Sequence, residues 1–301
     1  MSSSTMKESA VKQKSPTGFT LLSYRSARRL NAALYYLLLL LFTLIILIPF
    51  YWMAKASVST PEQVLEIPPI YFPNPTLENF QTVSKQVPLT LFISNSLTFA
   101  IGSALVSVLV SFLAAYAFAR IPIKGSGLLQ LLLILSTSIP EIALIIPLYQ
   151  ILIQLKLLDT LAGLILVLSS AMSPFTVLVL ISFIKQVPYE IEEAAIIDGA
   201  SLPQVLWSIV TPITAPGLVT VLLINFINGW NDLLHPLAFS ATEKAKTLSV
   251  GITYIYSYRA PWGLPWNLVS TLGMIMVIPV IILVMFSQKA IVAGLTRGAI
   301  K

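Results

Sequence analysis

An acidic segment in the middle of the sequence carries its densest set of carboxylates. Between Pro188 and Ala200 the chain has four carboxylates and no lysine or arginine. A proline followed by acids is typical of a helix N-terminus, where the positive end of the helix dipole favours negative charge. Carboxylates on such a helix can form charge-assisted hydrogen bonds with basic groups of a partner. The residues predicted to couple this segment to a partner are Glu190, Glu192, Glu193, Ala194, Ala195, Asp198 and Gly199.

The same segment predicts two short helices joined by a turn. Gly199 is suited to ending the first helix, because a turn at positive φ penalises any side chain. Ser201 and Gln204 form a capping-box pattern for a second helix that runs through Val210. An amphipathic helix on lipid headgroups is the alternative, but such helices usually carry lysine and arginine. A protein partner is therefore the favoured interpretation.

A second set of polar side chains lies in an otherwise apolar stretch, residues 200–231, and just after it. Asn225, Asn228 and Asp232 are spaced three and four residues apart, so they share one helical face. Trp230 and Asn231 lie beside them. Amides and an indole ring suit uncharged, hydroxyl-rich solutes, while hydrogen bonding between helices is an equally open explanation. These five residues are candidates for a solute path.

Glu141 is an isolated carboxylate in the apolar stretch 125–155 and completes the candidates for the solute path. It follows Pro140 and a run of three hydroxyl residues, 136–138. Because charges are costly in hydrocarbon, three roles are open: proton coupling, lining a wet cavity, or a position near the outer surface. No specific chemistry is predicted for His235.

Several catalytic and metal-binding chemistries are absent from the sequence. There is no cysteine and only one histidine, which excludes disulfides, thiolate metal sites and multi-histidine metal centres. The phosphate-binding pattern Gly-x-x-x-x-Gly-Lys-Ser/Thr is absent as well. We therefore expect no enzyme activity and no cofactor in this chain.

The elements that position these residues are predicted to be membrane-spanning helices. Hydrophobic residues make up 56% of the chain and charged residues 10%, and the mean hydropathy is +0.87, whereas a soluble surface needs far more charge. A helix needs about 20 apolar residues to cross the hydrocarbon core. Six stretches qualify, at residues 32–54, 87–119, 125–155, 160–184, 200–231 and 260–288. The predicted fold is an all-α polytopic membrane protein with six transmembrane helices and a cytoplasmic helix between the fourth and fifth.

Lysine and arginine predict the orientation of these spans. With the N-terminus inside, 12 of the 18 basic residues lie in cytoplasmic segments, which is the expected positive-inside bias. Both termini are then cytoplasmic. The net charge of +6 does not indicate nucleic-acid binding, because the basic residues are not gathered in one patch; those of the N-terminal tail are expected to contact anionic membrane lipid. Residues 1–30 are predicted to be a disordered basic tail, residues 31–301 the transmembrane domain, and the outer loop 55–86 irregular.

Small residues recur every four positions in the second span. The stripe consists of Ser103, Ser107, Ser111, Ala115 and Ala119. Such a stripe allows a neighbouring helix to approach closely in lipid. Close packing is favoured over a polar transport path, because two of the five residues are alanine.

The acidic segment also resembles a known motif. Glu193-Ala194-Ala195 followed by Gly199, Ile209 and Pro212 resembles the EAA loop of bacterial ABC-importer permeases, although Thr211 replaces that family's leucine. Asp198-Gly199-Ala200-Ser201 is similar to the carbohydrate branch, of the maltose-system type. Three further stretches agree with that branch: 95–97, 230–237 and 247–251.

This resemblance implies a permease subunit of an ATP-driven importer in the bacterial inner membrane. Residues 186–212 would be the coupling loop that docks on an ATPase, and residues 289–301 a tail that contacts the ATPase through Leu295, Thr296, Arg297 and Gly298. The implied partners are a second permease subunit, two ATPase subunits that bind ATP and Mg²⁺, and an extracytoplasmic solute-binding protein.

The implied solute is a sugar or sugar-like molecule, with a polyol or glycerol phosphate as the alternative. A proton-coupled secondary transporter that uses Glu141 and a non-transporting scaffold are the rival functions. Gly294 and Gly298 predict that the C-terminal tail is ordered but not helical.

Overall fold

The computed structural model describes residues 19–256 and 263–299, and it describes side chains for residues 28–256 and 263–288. The described chain is helical and contains no β-strand. Its elements are α1 (Phe19–Ser57), α2 (Pro61–Leu65), α3 (Glu78–Gln86), α4 (Leu89–Arg120), α5 (Ser126–Ser136), α6 (Glu141–Gln154), α7 (Leu161–Ile184), α8 (Tyr189–Ile197), α9 (Leu202–Gln204), a π-helical turn (Val205–Val210), α10 (Thr211–Asn231), α11 (Leu234–Phe239), α12 (Gly251–Tyr256) and α13 (Trp266–Ala299).

Five of the described helical segments are long and apolar enough to cross a membrane. They are Arg28–Ser57, Leu89–Arg120, Leu161–Ile184, Leu202–Asn231 and Trp266–Gln288, with mean hydropathies from 1.8 to 2.7. The chain divides into two compact units, residues 1–52 and residues 53–301. The first unit holds most of α1, which begins at Phe19, inside the segment predicted to be a disordered tail.

The third predicted span is not one continuous helix. It consists of α5 and α6, which meet at an angle of 99°. The break has a local cause: Pro140 disfavours helical geometry at the preceding residue and lacks a backbone N–H. The hydroxyls of Ser136 and Thr137 donate to the carbonyls of Leu133 and Ile134, each at 2.7 Å, and so occupy acceptors left at the end of α5. Glu141 therefore opens α6 rather than interrupting a span.

The small-residue stripe of α4 is the surface on which α7 packs. Ser103, Ser107, Ser111 and Ala115 are fully buried. Ser111 donates to the Ser173 carbonyl at 3.2 Å, so the helices approach closely. The predicted packing role is confirmed. The predicted irregular loop 55–86, in contrast, contains the two short helices α2 and α3.

The acidic segment folds as the predicted pair of helices. Pro188 is the N-cap of α8, Gly199 adopts φ +88° in the turn, and Ser201 and Gln204 form the capping box of α9. The second helix does not stop at Val210 but continues through the π-helical turn into α10. At this junction Thr211 donates its hydroxyl to the Leu206 carbonyl, five residues back, at 2.8 Å.

The C-terminal segment differs from its prediction. The backbone of α13 stays helical to Ala299, so it includes Gly294 and Gly298. Each glycine costs a helix only about 1 kcal/mol relative to alanine, which does not end a long helix. The predicted side-chain contacts of Leu295, Thr296, Arg297 and Gly298 lie outside the described residues, since side chains are described only to residue 288.

Candidate functional site

The side chain of Glu192 points from α8 into the protein. It is only 1% exposed. Its carboxylate accepts from Arg120 Nε at 2.8 Å and from the Tyr116 hydroxyl at 2.9 Å, and Arg120 Nη2 lies 2.7 Å away. The prediction that Glu192 faces a partner is therefore wrong. Glu192 instead links α8 to the end of α4.

The opposite side of α8 is exposed and acidic. Glu190, Glu193 and Asp198 are exposed there, whereas Ala195 is half-buried and packs against the core beneath. Ile197 is 84% exposed and adds an apolar patch beside these carboxylates. Exposed acids next to a large apolar side chain are suited to a partner that offers basic groups around an apolar contact. Ala194 and Gly199 are exposed as well and add little bulk to this surface.

A cavity of about 630 Å³ lies between α10, α7 and the broken span. From α10 and the residue after it come four of the predicted residues, and Glu141 comes from the start of α6. Hydroxyl groups and one phenyl ring complete the polar and aromatic lining. The lining includes Ser136, Thr137, Glu141, Ser170, Ala171, Phe175, Asn225, Asn228, Asn231, Asp232 and His235.

The asparagines in the cavity wall differ in their surroundings. Asn225 is 1% exposed, and its amide donates to Ser107 at 3.2 Å and to Thr176 at 3.0 Å. It therefore joins three helices, as the alternative of interhelical hydrogen bonding predicts. Asn228 and Asn231 are exposed in the cavity wall, so their amides are available to a solute.

Trp230 lies away from the cavity. It is 2% exposed, and its indole N–H donates to the Met276 carbonyl of α13 at 2.9 Å. Its ring stacks on Phe226 in the core. The structure thus gives Trp230 a packing position, and the aromatic ring that faces the cavity is Phe175 of α7.

His235 and Asp232 form a pair in the cavity wall. His235 Nδ1 lies 2.8 Å from Asp232 Oδ2, and Asp232 Oδ1 accepts the backbone N–H of Leu234 at 3.0 Å, which fixes the carboxylate. Burial opposes protonation of the imidazole, but the hydrogen bond and charge of Asp232, with the charge of Glu141, raise the pKa of His235 above its ordinary value. The cavity wall therefore holds two acidic side chains and one imidazole whose pKa is raised.

Comparison with known proteins decides the family. Residues 107–297 match the family described as "Binding-protein-dependent transport system inner membrane component", a range that includes α8, the cavity and most of α13. The chain belongs to this family. It is a permease subunit of an ATP-binding-cassette importer.

Two named permeases are similar in sequence to this chain over most of its length. The sulfoquinovosyl glycerol transport system permease protein of Agrobacterium fabrum is 35% identical over 85% of this chain and 89% of its own length. The trehalose/maltose transport system permease protein of Thermococcus litoralis is 33% identical over 87% of this chain and 94% of its own length. The fold matches a crystal structure of a bacterial ABC transporter that imports the acidic polysaccharide alginate, with a TM-score of 0.73, 21% identity, and coverage of 87% of this chain and 97% of that chain.

Family membership argues against the secondary-transporter hypothesis for the permease. The stretch 95–97, which resembles this family in sequence, has a structural role. Asn95 donates its amide to the carbonyls of Glu243, Lys244 and Lys246 at 2.8–3.2 Å, and Ser96 accepts the Leu248 N–H at 2.7 Å. This motif therefore ties the loop after α11 to the start of α4.

Two residues with specific side-chain contacts, Arg120 and His235, were not among the site residues predicted from the sequence. Arg120 belonged only to the basic residues that predict the topology, and no chemistry was predicted for His235. The spacing of three residues between Asp232 and His235 was the sequence signal for their pairing. No local sequence signal indicated the pairing of Arg120 with Glu192, because these residues are 72 positions apart.

Proposed function

We propose that this permease subunit imports an uncharged, hydroxyl-rich solute of the sugar class, driven by ATPase subunits that dock on the exposed side of α8. The complete importer contains a second permease subunit, two ATPase subunits that bind ATP and Mg²⁺, and an extracytoplasmic solute-binding protein. It lies in the inner membrane with six spans in this subunit and both termini cytoplasmic. The last turns of α13, residues 295–298, provide a further ATPase contact.

The exposed side of α8 is the observation that carries the docking proposal. Two carboxylates and Ile197 are exposed on α8, a third carboxylate is exposed at its C-cap, Asp198, and Glu192 bonds the buried side of the helix to α4. Charge-assisted hydrogen bonds to arginine or lysine of an ATPase contribute about 1.5–3 kcal/mol each when shielded from water. Because Glu192 bonds α8 to Arg120, a displacement of the docked ATPase would move α8 together with the end of α4.

The charges of the cavity support the choice of solute class. The cavity lining has two acidic side chains, Glu141 and Asp232, against the single imidazole of His235, and this excess of acids disfavours an anionic solute more than a neutral one. The amides of Asn228 and Asn231 can each donate and accept hydrogen bonds with sugar hydroxyls. The relatives are named as permeases for sulfoquinovosyl glycerol and for trehalose/maltose, and these names support a sugar-containing solute. Glycerol phosphate is therefore the less favoured alternative.

Uptake into proteoliposomes tests the proposed solute class. The assembled importer is reconstituted in vesicles that contain ATP, and its binding protein is added outside. Radiolabelled neutral disaccharides and, in a separate experiment, radiolabelled glycerol phosphate are then added outside. We expect ATP-dependent accumulation of a neutral disaccharide and no accumulation of glycerol phosphate. ATP-dependent uptake of glycerol phosphate alone would contradict the assignment.

A further inference from the structure

Arg120 connects three parts of the chain at one end of the helical bundle. It is the last residue of α4. Its Nη2 donates to the carbonyls of Ile184, at the end of α7, and of Val187, in the loop before α8, at 3.0 and 2.7 Å. Its Nε donates to Glu192 of α8 at 2.8 Å. The guanidinium therefore binds α4, α7 and α8 at once.

The contact is a shielded one. The side chains of Arg120 and Glu192 are 11% and 1% exposed. The Tyr116 hydroxyl occupies the second carboxylate oxygen at 2.9 Å, so both oxygens of Glu192 have donors. Breaking a buried ion pair leaves an uncompensated charge, so the two groups separate far less readily than a surface pair. A lysine cannot replace this geometry, because only the planar guanidinium donates in several fixed directions.

We propose that Arg120 and Glu192 form a clamp that positions α8 and passes its displacement directly to α4. This inference rests on the proposed docking of α8 to an ATPase. Along the chain, α8 is continuous with α10 through the turn at Gly199, but it reaches α4 only across space. The clamp supplies that second connection, and Arg120 and Glu192 are positioning residues.

The clamp is connected to the cavity by the body of α4. Ser107 lies 13 residues before Arg120, which is about 20 Å along an α-helix. There Ser107 accepts the amide of Asn225, which lines the cavity and also donates to Thr176 of α7. A displacement of α8 that reaches Arg120 is therefore delivered to a hydrogen-bonded junction of α4, α7 and α10 in the cavity wall.

The test measures whether nucleotide still changes access to the cavity when the clamp is weakened. The chain has no cysteine, so Ala171→Cys places a single thiol in this subunit on the cavity wall. The full importer is assembled in lipid nanodiscs, and the rate of modification of that thiol by a small methanethiosulfonate reagent is followed by mass spectrometry of this chain. The rate is compared without nucleotide and after trapping with Mg·ATP and vanadate.

We expect trapping to change the modification rate about fivefold or more in the parent, the lower end of ordinary coupling factors. Glu192→Gln, which keeps the size of the side chain and removes its charge, should abolish most of this change while the ATPase subunits stay bound and hydrolyse ATP. Arg120→Met should act in the same way, and Arg120→Lys should restore the response only in part. Lys185→Met, which removes an exposed cation from the same end of α7, is the matched control and should respond like the parent.

Two results would overturn different claims. If Glu193→Lys releases the ATPase subunits but Glu192→Gln shows the full nucleotide response, α8 docks as proposed and the clamp is wrong. If Glu193→Lys leaves the ATPase subunits bound and the response intact, the docking proposal itself fails. Should Arg120→Met not insert, the isosteric Glu192→Gln decides the question alone.

Discussion

Asn225 and Asn228 lie one helical turn apart on α10, and their surroundings assign them different tasks. Asn225 is enclosed by donors and acceptors from α4 and α7, whereas Asn228 is exposed in the cavity wall. The sequence predicted their shared face, because a spacing of three places both side chains on one side of a helix. It did not separate them, since the depth of each side chain depends on Ser107 and Thr176 in other helices.

Asn228→Leu should impair uptake without affecting assembly. The substitution removes an exposed amide that can bind sugar hydroxyls and leaves no buried group without a partner. Transport of a neutral disaccharide into proteoliposomes and retention of the ATPase subunits are the two measurements. Unchanged uptake would show that Asn228 does not contact the solute.

Asn225→Leu should instead destabilise the subunit. Ser107 and Thr176 each lose a buried partner, and such a loss costs about 1–3 kcal/mol. We expect a lower apparent melting temperature in detergent than for Asn228→Leu, which is the matched comparison. Equal melting temperatures of the two variants would contradict the separate roles.

His235 predicts a pH dependence of stability. Burial lowers the folded-state pKa of its imidazole, but the hydrogen bond and charge of Asp232, together with the charge of Glu141, raise that pKa above the ordinary value of 6.5. A raised folded pKa means that the stabilisation is fully present below the unfolded pKa of about 6.5 and is lost as the pH rises through the folded pKa. The apparent melting temperature should therefore fall as the pH rises through the folded-state pKa of His235. His235→Gln should flatten this part of the profile, and an unchanged profile in this variant would remove the imidazole as its cause.

Among the structural elements, those that depend on local glycine and capping residues were predicted correctly, whereas the effect of a proline within an apolar stretch was not. The turn after α8 and the capping box of α9 were predicted correctly, because Gly199, Ser201 and Gln204 act locally. The sharp break between α5 and α6 was not predicted, since a proline in an apolar run is also compatible with a kinked span. The inward position of Glu192 was also missed, because three acids in four residues give no indication of which one meets a distant arginine.

Gly163→Ala should weaken the junction between α6 and α7. A Cβ at Gly163 would lie 2.2 Å from the Leu157 carbonyl oxygen, so the backbone must shift. Overpacking of this kind typically costs about 1–3 kcal/mol. Gly127→Ala is the matched control, because a Cβ there would meet no atom within 4 Å. Apparent melting temperatures measure both, and a Gly163→Ala variant as stable as Gly127→Ala would show that the junction yields freely.

At the scale of the whole molecule, the second unit has two functional ends connected by α4. One end carries Arg120 and α8, and the other carries the loop around Glu243, which Asn95 holds at the start of α4. A helix of 32 residues is about 48 Å long, which exceeds the hydrocarbon core of a bilayer. The hydropathy pattern predicted these helices, but their pairing depends on contacts that no single stretch of sequence contains.

The two ends should face opposite sides of the membrane. We expect Glu243→Cys to be labelled in intact spheroplasts by a membrane-impermeant maleimide, and Ile197→Cys to be labelled only after permeabilisation. The positive-inside bias predicts this direction, and it predicts as well that Ser2 and Lys301 are on the cytoplasmic side. Labelling of Ile197→Cys in intact spheroplasts would reverse the assigned orientation.

Co-purification of the ATPase subunits with two glycine variants shows whether α8 is the coupling helix. Gly199 and Gly125 have φ values of +88° and +79°, and a Cβ at either would meet no atom within 4 Å. Valine therefore introduces similar backbone strain at both, but only Gly199 adjoins α8. If α8 is the coupling helix, Gly199→Val loses the ATPase subunits and solute uptake, while Gly125→Val keeps both. Wild-type ATPase retention and uptake in Gly199→Val would contradict the account.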